Sequence, residues 1–364
     1  MTSARRSYDW RYQAAVSFVA LPLSWWANRT YRALPRLPHR LPAQALPALS
    51  VIVPARNEAH TLPQLLPSLQ ALRYPGPLEI IVVDDGSNDG SAQIAADHGA
   101  SVLRLETLPE GWAGKPHACH RGAQQARGEW LLFTDADTVH QPDSAARAVA
   151  YALSEKADGL SLFLRQQSRG LPDQLALAAA YAALFAGTAP QRDLFNGQYV
   201  LIRRAVYQAA GGFAAVRAEA LEDVAFGKHL RREGYHVPVL LGEDAASVRM
   251  FSSHRQLWQA MNRLSAEALR SAGTHTAWTA VFITALMSPW IALFGTGLRQ
   301  RKPAWAVTAW GAAAVAMWPW AARFGAARAA LLAPAGALFV ELAAVYGLLN
   351  RLLRRGIIWK GRRV

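Results

Sequence analysis

Asp84-Asp85-Gly86-Ser87 and Asp135-Ala136-Asp137 are the segments of this chain best suited to chemistry. Each closes an apolar run, Leu78-Glu79-Ile80-Ile81-Val82-Val83 before the first and Glu129-Trp130-Leu131-Leu132-Phe133-Thr134 before the second. Runs of this kind read as strands buried on both faces. In an open α/β sheet, ligands sit in the crevice outside the carboxyl ends of the strands. Carboxylates delivered there are hard oxygen ligands for a divalent cation, and such a cation suits a diphosphate.

Three other segments could join them. Val53-Pro54-Ala55-Arg56-Asn57-Glu58 ends the first apolar strand and carries polar groups to the same edge. Gly111-Trp112-Ala113-Gly114-Lys115-Pro116 opens a helix, where a lysine adds positive charge beside a phosphate. Glu222-Asp223 opens another helix. An acidic helix start also stabilises the helix dipole, so its position alone does not assign a role. His117 and His120 are three positions apart and lack a third metal ligand nearby, so they read as ordinary surface or core histidines. Cys119 is the single cysteine, which excludes an intrachain disulfide and fits a reducing compartment.

The elements that must position these groups alternate. Leu49–Val53 reads as a strand and Thr61–Leu72 as a helix, with Thr61 placed to cap it and Pro63 in its first turn. The Leu78–Val83 strand, a Ser91–Asp97 helix, a Ser101–Leu105 strand, a Pro116–Ala126 helix and the Trp130–Phe133 strand come next. Val224–Glu233 continues as a helix. This alternation predicts a mostly parallel sheet between helices.

The three strand-end segments together resemble glycosyltransferase family 2 enzymes, which have the GT-A fold, over about residues 49–260. The resemblance implies that Pro54, Ala55, Glu58, Asp84 and Asp85 hold the nucleotide of a nucleotide sugar. It implies that Asp135 and Asp137 hold Mn²⁺ or Mg²⁺ on the diphosphate, with Lys115 beside the donor. Asp223 would be the general base of a single, inverting displacement. Glu222, Gly197, Gln198 and Arg249 would line the acceptor side. Processive family members carry Gln-x-x-Arg-Trp after the Glu-Asp helix. This chain has Trp258-Gln259-Ala260-Met261-Asn262-Arg263-Leu264 instead, which favours transfer of one sugar. The Gly-Trp-x-Gly-Lys loop, the Gly197-Gln198 segment and Arg249-Met250-Phe251 resemble carotenoid and hopanoid-associated glycosyltransferases. That likeness implies a polyisoprenoid lipid acceptor with a hydroxyl or carboxyl, and glucose from UDP-glucose. A polyprenyl-phosphate sugar transferase would share the same catalytic motifs.

Composition places the chain at a membrane. It is 52% apolar and only 18% charged. Ala277–Leu298, Pro303–Ala322 and Ala329–Leu349 each match the roughly 20 residues that cross a bilayer as helix. Tryptophans stand near their ends, as interfacial aromatics do. Gln13–Ala27 is shorter and contains Pro22, fitting either an interfacial anchor or a tilted span, and it lacks the cleavage site of a signal peptide. Pro35, Pro38, Pro42 and Pro47 then make an extended linker. The expected domains are therefore 1–48 (anchor and linker), 49–276 (GT-A domain) and 277–364 (transmembrane or re-entrant helices with a basic tail).

The net charge of +14 sits mostly at the ends: seven Arg and one Asp in residues 1–40, five Arg and one Lys in residues 350–364. This distribution suits anionic lipid headgroups rather than nucleic acid. With the catalytic domain in the cytoplasm of a bacterial cell, the positive-inside rule keeps both basic ends inside if Gln13–Ala27 lies on the surface and the Pro289-containing segment re-enters. A membrane scaffold or transporter subunit, hinted at by Glu341 in an apolar span, has no need of Asp135, Asp137 and Asp223 together.

Overall fold

The computed structural model describes residues 10–39, 44–219, 221–251, 253–270, 274–291, 293–294, 304–325, 327–353, 358–359 and 362–363. Their contacts divide into two compact units. One comprises Leu34–Gln167 and Ala189–Met250. The other comprises Met1–Ala33, Ser168–Thr188 and Phe251–Val364.

The first unit is α/β, built on ten short strands in chain order: β1 Leu49–Ala55, β2 Leu78–Asp84, β3 Ser101–Arg104, β4 Trp130–Thr134, β5 Thr138–His140, β6 Gly159–Phe163, β7 Arg165–Gln166, β8 Tyr199–Arg203, β9 Val239–Leu241 and β10 Ala246–Val248. The main sheet runs β3-β2-β1-β4-β8-β6-β9. Pairings β3–β2, β2–β1, β1–β4 and β6–β9 are parallel, and β8 is antiparallel to both its neighbours. The mostly parallel sheet expected from the alternation is therefore present. Central strands β1 and β4 are buried along nearly their whole length, as their unbroken Val, Ile, Leu and Phe runs require.

Strand order fixes where a ligand fits. From β1 the chain goes to β2 and then β3 on one side, then returns to place β4 on the other. The gap between the β1 and β4 ends is thus the point where the direction of winding reverses, the usual crevice of such sheets. Antiparallel β8 does something more specific. Tyr199, its first residue, pairs with Thr134, the last of β4. The segment entering β8 is thereby laid beside the segment leaving β4. A second sheet, β5-β10-β7, pairs Val248 with Thr138 and brings the chain after β10 back to the same place.

Two local expectations change. Thr61 does not cap the Leu62–Gln70 helix through its side chain; its hydroxyl donates to Glu58 Oε2 at 2.9 Å instead. The proline-rich segment is more than a spacer. Leu37 N–H donates to the Leu241 carbonyl at 2.9 Å, and Leu241 N–H donates to the Pro35 carbonyl at 2.8 Å, extending β9 by a bridge. Arg147, 1% exposed, donates to the Leu37 and Pro38 carbonyls and pairs with Asp244 at 2.9 Å. A buried guanidinium satisfied this fully pins the segment down. Residues 40–43 lie outside the described residues.

The second unit is helical: Trp10–Arg32, Leu171–Gly187, His254–Arg270, Thr274–Ile291, Ala304–Arg323 and Ala333–Leu352. Alanines let its helices approach closely, with Ala27, Ala182, Ala313, Ala330, Ala337 and Ala343 buried. An aromatic knot of Tyr31, Phe185 and Trp320 joins three of them, with ring centroids 4.9–6.1 Å apart. Its outer face is apolar as well: Trp25, Trp26, Val307, Val315, Trp318 and Leu349 are exposed.

The first helix runs through Pro22 without a break. Among the described residues, one stretch, Ala327–Asn350, is both long and apolar enough to cross a membrane, with mean hydropathy 1.8. Ala277–Ile291 is apolar but shorter, and Pro289 lies inside its helix. The Leu298 end of the expected first span, the basic connection Arg299, Arg301 and Lys302, and Arg354, Arg355 and Lys360 of the basic tail lie outside the described residues.

Candidate active site

The first site element is a clasp between two loops. Ala55 and Asp84, the last residues of β1 and β2, are register partners, so the loops after them leave the sheet side by side. Asp85 N–H donates to the Ala55 carbonyl at 2.8 Å. Asn57, held at φ 54°, donates its N–H to Ser87 Oγ at 2.9 Å and accepts the Asn88 N–H at 3.1 Å. Glu58 N–H donates to Ser91 Oγ at 2.8 Å, and Ala59 N–H to Asp89 Oδ2 at 3.0 Å. Asp84 Oδ1 accepts the Ser87 N–H at 3.0 Å, so this carboxylate shapes its own turn and does not cap the Ser91–Asp97 helix, whose N-cap is Gly90. Gly86, at φ +68°, makes the sharp return. Burial works against the Asp89 carboxylate, but hydrogen bonds from Ser91 and from the Ala59 N–H hold its pKa below the usual value.

These contacts bring Ala55, Glu58, Asp84 and Asp85 to one edge, and Pro54 lies beside them as the register partner of Val83. Glu58 and Asp85 are each 5% exposed. Arg56, Asn57, Ser87, Asp89 and Ser91 complete the clasp; Arg56, Asn57 and Ser87 fall within the strand-end segments read from the sequence, but none of the five has a role assigned there. Their types are common in any turn, and only the pairing of the loops reveals them.

The second element gathers charge from distant parts of the chain. Lys115, in the first turn of the Gly114–Gln125 helix, places Nζ 2.6 Å from Asp135 Oδ1 and 3.1 Å from Glu222 Oε1. The ammonium thus bridges the β4 carboxylate and the Glu-Asp pair. Burial pulls its pKa down, but the Asp135, Glu222 and Asp223 carboxylates outweigh that and hold it well above the ordinary lysine value. Asp223 stands beside this bridge in the first turn of the Glu222–Arg232 helix. Its Oδ2 accepts the Gly197 N–H at 2.7 Å and its Oδ1 the Val224 N–H at 2.8 Å. Burial and the neighbouring Glu222 raise its pKa to about 6, against the lowering pull of Lys115 and the two N–H groups.

Gly197 owes its place to lacking a side chain. A Cβ there would lie 2.9 Å from both Cβ and Oδ2 of Asp223. Gly197→Ala is therefore expected to push the carboxylate aside and lower kcat by about tenfold or more, since small misplacements of a reacting group are costly. Donor affinity should change little, and steady-state kinetics would show an unequal effect on kcat and KM. Equal turnover in the variant would mean that the Gly197–Asp223 contact does not matter.

Gln198 and Arg249 are brought in by backbone. Gln198 Oε1 accepts from Gln166 Nε2 at 3.0 Å and from Asn196 Nδ2 at 3.1 Å, so its side chain is fixed. Arg249 N–H donates to the Asp137 carbonyl at 3.0 Å, while its guanidinium donates to Gln167 Oε1 at 3.0 Å. Trp112 packs its ring 5.4 Å from His117 and 5.2 Å from His120. Burial, then His117 and Arg121, lower the pKa of His120, and burial pushes the Cys119 thiol up, so it stays protonated and inert.

Among the described residues, no three His, Cys, Asp or Glu side chains converge as a closed metal site. Asp135 and Asp137 nonetheless fit a hard cation that takes its other ligands from a diphosphate and water, the usual arrangement for Mg²⁺. Asp135 Oδ1 is paired with Lys115, but the side chain is 27% exposed, so part of the carboxylate is within reach of such a ligand. A hollow of 720 Å³ lined by Leu72, Arg73, Tyr74, Pro75, Pro142, Asp143 and Ala146 includes none of these groups.

Comparison with known proteins bears on the family and the fold. Residues 50–224 match the family model for glycosyl transferase family 2. A 4,4'-diaponeurosporenoate glycosyltransferase of Staphylococcus haemolyticus is 30% identical over 229 residues, covering 57% of this chain and 57% of that protein. The Staphylococcus aureus protein of the same name (strain USA300) is 28% identical, covering 61% of this chain and 62% of that one. The chain thus spans less than two thirds of the length of these curated relatives. In fold it is similar to a mannosyltransferase from Pyrobaculum calidifontis solved with GDP-Man and Mn²⁺, at 20% identity and TM-score 0.59, covering 93% of this chain and 98% of that one.

Proposed function

Because the chain carries a glycosyltransferase family 2 domain of GT-A fold, we propose that it is an inverting glycosyltransferase acting on a membrane lipid. It moves one sugar from a nucleotide sugar, UDP-glucose by resemblance, to a hydroxyl or carboxyl of a polyisoprenoid such as a carotenoid. The observation that carries the reading is the meeting of Asp135, Lys115, Glu222 and Asp223, which join the donor carboxylates to the Glu-Asp pair. The names of the curated relatives support the carotenoid acceptor.

The clasp around Glu58, Asp84 and Asp85 holds the nucleotide. Asp135 and Asp137 hold Mn²⁺ or Mg²⁺, which when bound offsets the negative charge growing on the departing diphosphate. Lys115 adds a positive charge at the same place. Asp223 takes the proton of an acceptor hydroxyl as that oxygen attacks the anomeric carbon, and its raised pKa suits a base working near neutrality. Gly197 N–H and Val224 N–H aim the carboxylate. The apolar outer face of the helical unit and the Ala327–Asn350 stretch support a membrane location; the cytoplasmic side for the catalytic unit is carried by the basic ends of the chain and the positive-inside rule alone.

The test uses the full chain in detergent with labelled UDP-glucose, Mn²⁺ and three lipids: a carotenoid alcohol, a carotenoid carboxylate and a polyprenyl phosphate. The expected product is a carotenoid glycoside or glycosyl ester with inverted anomeric configuration. Transfer to the polyprenyl phosphate alone would favour the carrier-charging enzyme. Failure to release a nucleotide from any nucleotide sugar would remove the enzymatic reading.

A further inference from the structure

Beneath the Asp135–Asp137 loop lies a buried polar cluster that the proposed steps do not use. Thr134 and Thr138 are each 1% exposed and His140 is 3% exposed. The Thr134 hydroxyl lies 3.0 Å from the Gln198 carbonyl, and the Thr138 hydroxyl 2.8 Å from the Asp135 carbonyl. The two hydroxyls are 2.9 Å apart. His140 Nε2 sits 3.0 Å from the first and 3.2 Å from the second.

Counting protons assigns the donor. A carbonyl only accepts, and each hydroxyl has one proton to give. When both hydroxyls donate to their carbonyls, neither has a proton left for the other or for the ring. The ring must then donate. A proton on Nε2 meets that need and leaves Nδ1 as acceptor toward Ser144 Oγ, 3.5 Å away. A proton on Nδ1 would force one hydroxyl to turn from its carbonyl to the ring, and one tie would be lost. Burial favours the neutral ring, lowering its pKa to about 4. The ring's own position is fixed by β5, whose His140 N–H donates to Ser68 Oγ at 3.1 Å and whose partner across the ladder is Ala246.

The two carbonyls belong to the two halves of the site. Asp135 carries a donor-side carboxylate. Gln198 comes directly after Gly197, whose N–H holds Asp223. We propose that His140, as its Nε2–H tautomer, is a positioning residue that locks the Asp135–Asp137 loop to the Gly197–Gln198 segment and so sets the donor carboxylates relative to Asp223. The proposal rests on Asp135 and Asp137 as metal ligands and on Asp223 as the base.

The experiment measures UDP binding to the full chain in detergent by calorimetry, with and without Mn²⁺. His140→Leu is expected to weaken Mn²⁺-dependent UDP binding by about tenfold or more, because a loosened loop misplaces its carboxylates. UDP affinity without Mn²⁺ should stay as in the unaltered protein. His140→Gln should restore most of the loss, since its amide N–H can donate in the same place. Nitrogen NMR of labelled histidine should show Nδ1 as the unprotonated ring nitrogen.

Unchanged Mn²⁺-dependent binding in His140→Leu would overturn the proposal. So would a His140→Gln variant as impaired as His140→Leu, which would reduce the ring to packing, or an unprotonated Nε2. If His140→Leu fails to fold, Thr138→Val and Thr138→Ser decide: the first should lose the Mn²⁺-dependent affinity and the second keep it, and equal affinities would overturn the idea. Asp223→Asn is the control for the underlying reading. Its UDP·Mn²⁺ affinity should match that of the unaltered protein. Full turnover in that variant would remove Asp223 as base, whereas the His140 binding result would stand.

Discussion

Replacing Asp223 by Asn is expected to lower kcat by about 10²–10⁴-fold for a hydroxyl acceptor, the range a single general base contributes. UDP-sugar affinity should stay close to that of the unaltered enzyme, because the nucleotide clasp is built from other loops. The acceptor's chemistry enters here. A carboxylate acceptor is already ionised at neutral pH and has no proton for Asp223 to take. The loss should therefore be much smaller with a carotenoid carboxylate than with a carotenoid alcohol, and running both acceptors on one variant separates the two classes.

The pH profile of the unaltered enzyme carries the same information. The Asp223 pKa is raised to about 6, and only the ionised carboxylate can accept a proton. With a hydroxyl acceptor, turnover should fall as pH drops through about 6, and this limb should vanish in Asp223→Asn. A variant with undiminished turnover on the alcohol would give the proton to another group.

Asp137→Asn should abolish most metal-dependent donor binding and reduce kcat/KM by about 10²–10³-fold, the equivalent of the several kcal/mol that metal stabilisation of a leaving group supplies. A neutral amide is a poor ligand for a hard cation, and Asp135 alone would share its charge with Lys115. The backbone of residue 137 should hold its place, because the Arg249 N–H bonds to its carbonyl rather than to its side chain. Calorimetry with UDP and Mn²⁺ is the direct measurement. Donor affinity that is the same with and without Mn²⁺ in the unaltered protein would end the metal reading of both aspartates.

Much of this site could be read along the chain. The Val51–Val53, Ile80–Val83 and Leu131–Phe133 runs read as strands, although β2 is buried only from Ile81 onward and half-buried before it, and the residues after such a strand must leave the sheet at its carboxyl edge. That local logic places Ala55, Asp84, Asp85 and Asp135 at one edge without any knowledge of strand order. The helix openings at Lys115 and Glu222 were legible too, from glycine at one and paired acids at the other. Thr61 shows the limit even locally, since a hydroxyl suited to capping found a nearer carboxylate in Glu58.

The joining of these pieces was settled only by tertiary structure. The alternation read along residues 49–133 does not announce β8, nor that it runs antiparallel between β4 and β6, because that choice of place depends on closing long loops against the rest of the sheet. It is this choice that lays Gly197 and Gln198 beside the end of β4. The Lys115 bridge to Asp135 and Glu222 and the Gly197 bond to Asp223 join residues far apart in sequence, and their residue types are common on any surface. The Leu171–Gly187 helix lies between two strands of the catalytic unit in sequence, yet it packs with the terminal helices. His140 is the clearest case. In sequence it is a lone histidine after a motif. Buried against Thr134 and Thr138, it becomes the donor that the proton count requires, because only the folded chain removes the water that would otherwise satisfy all three.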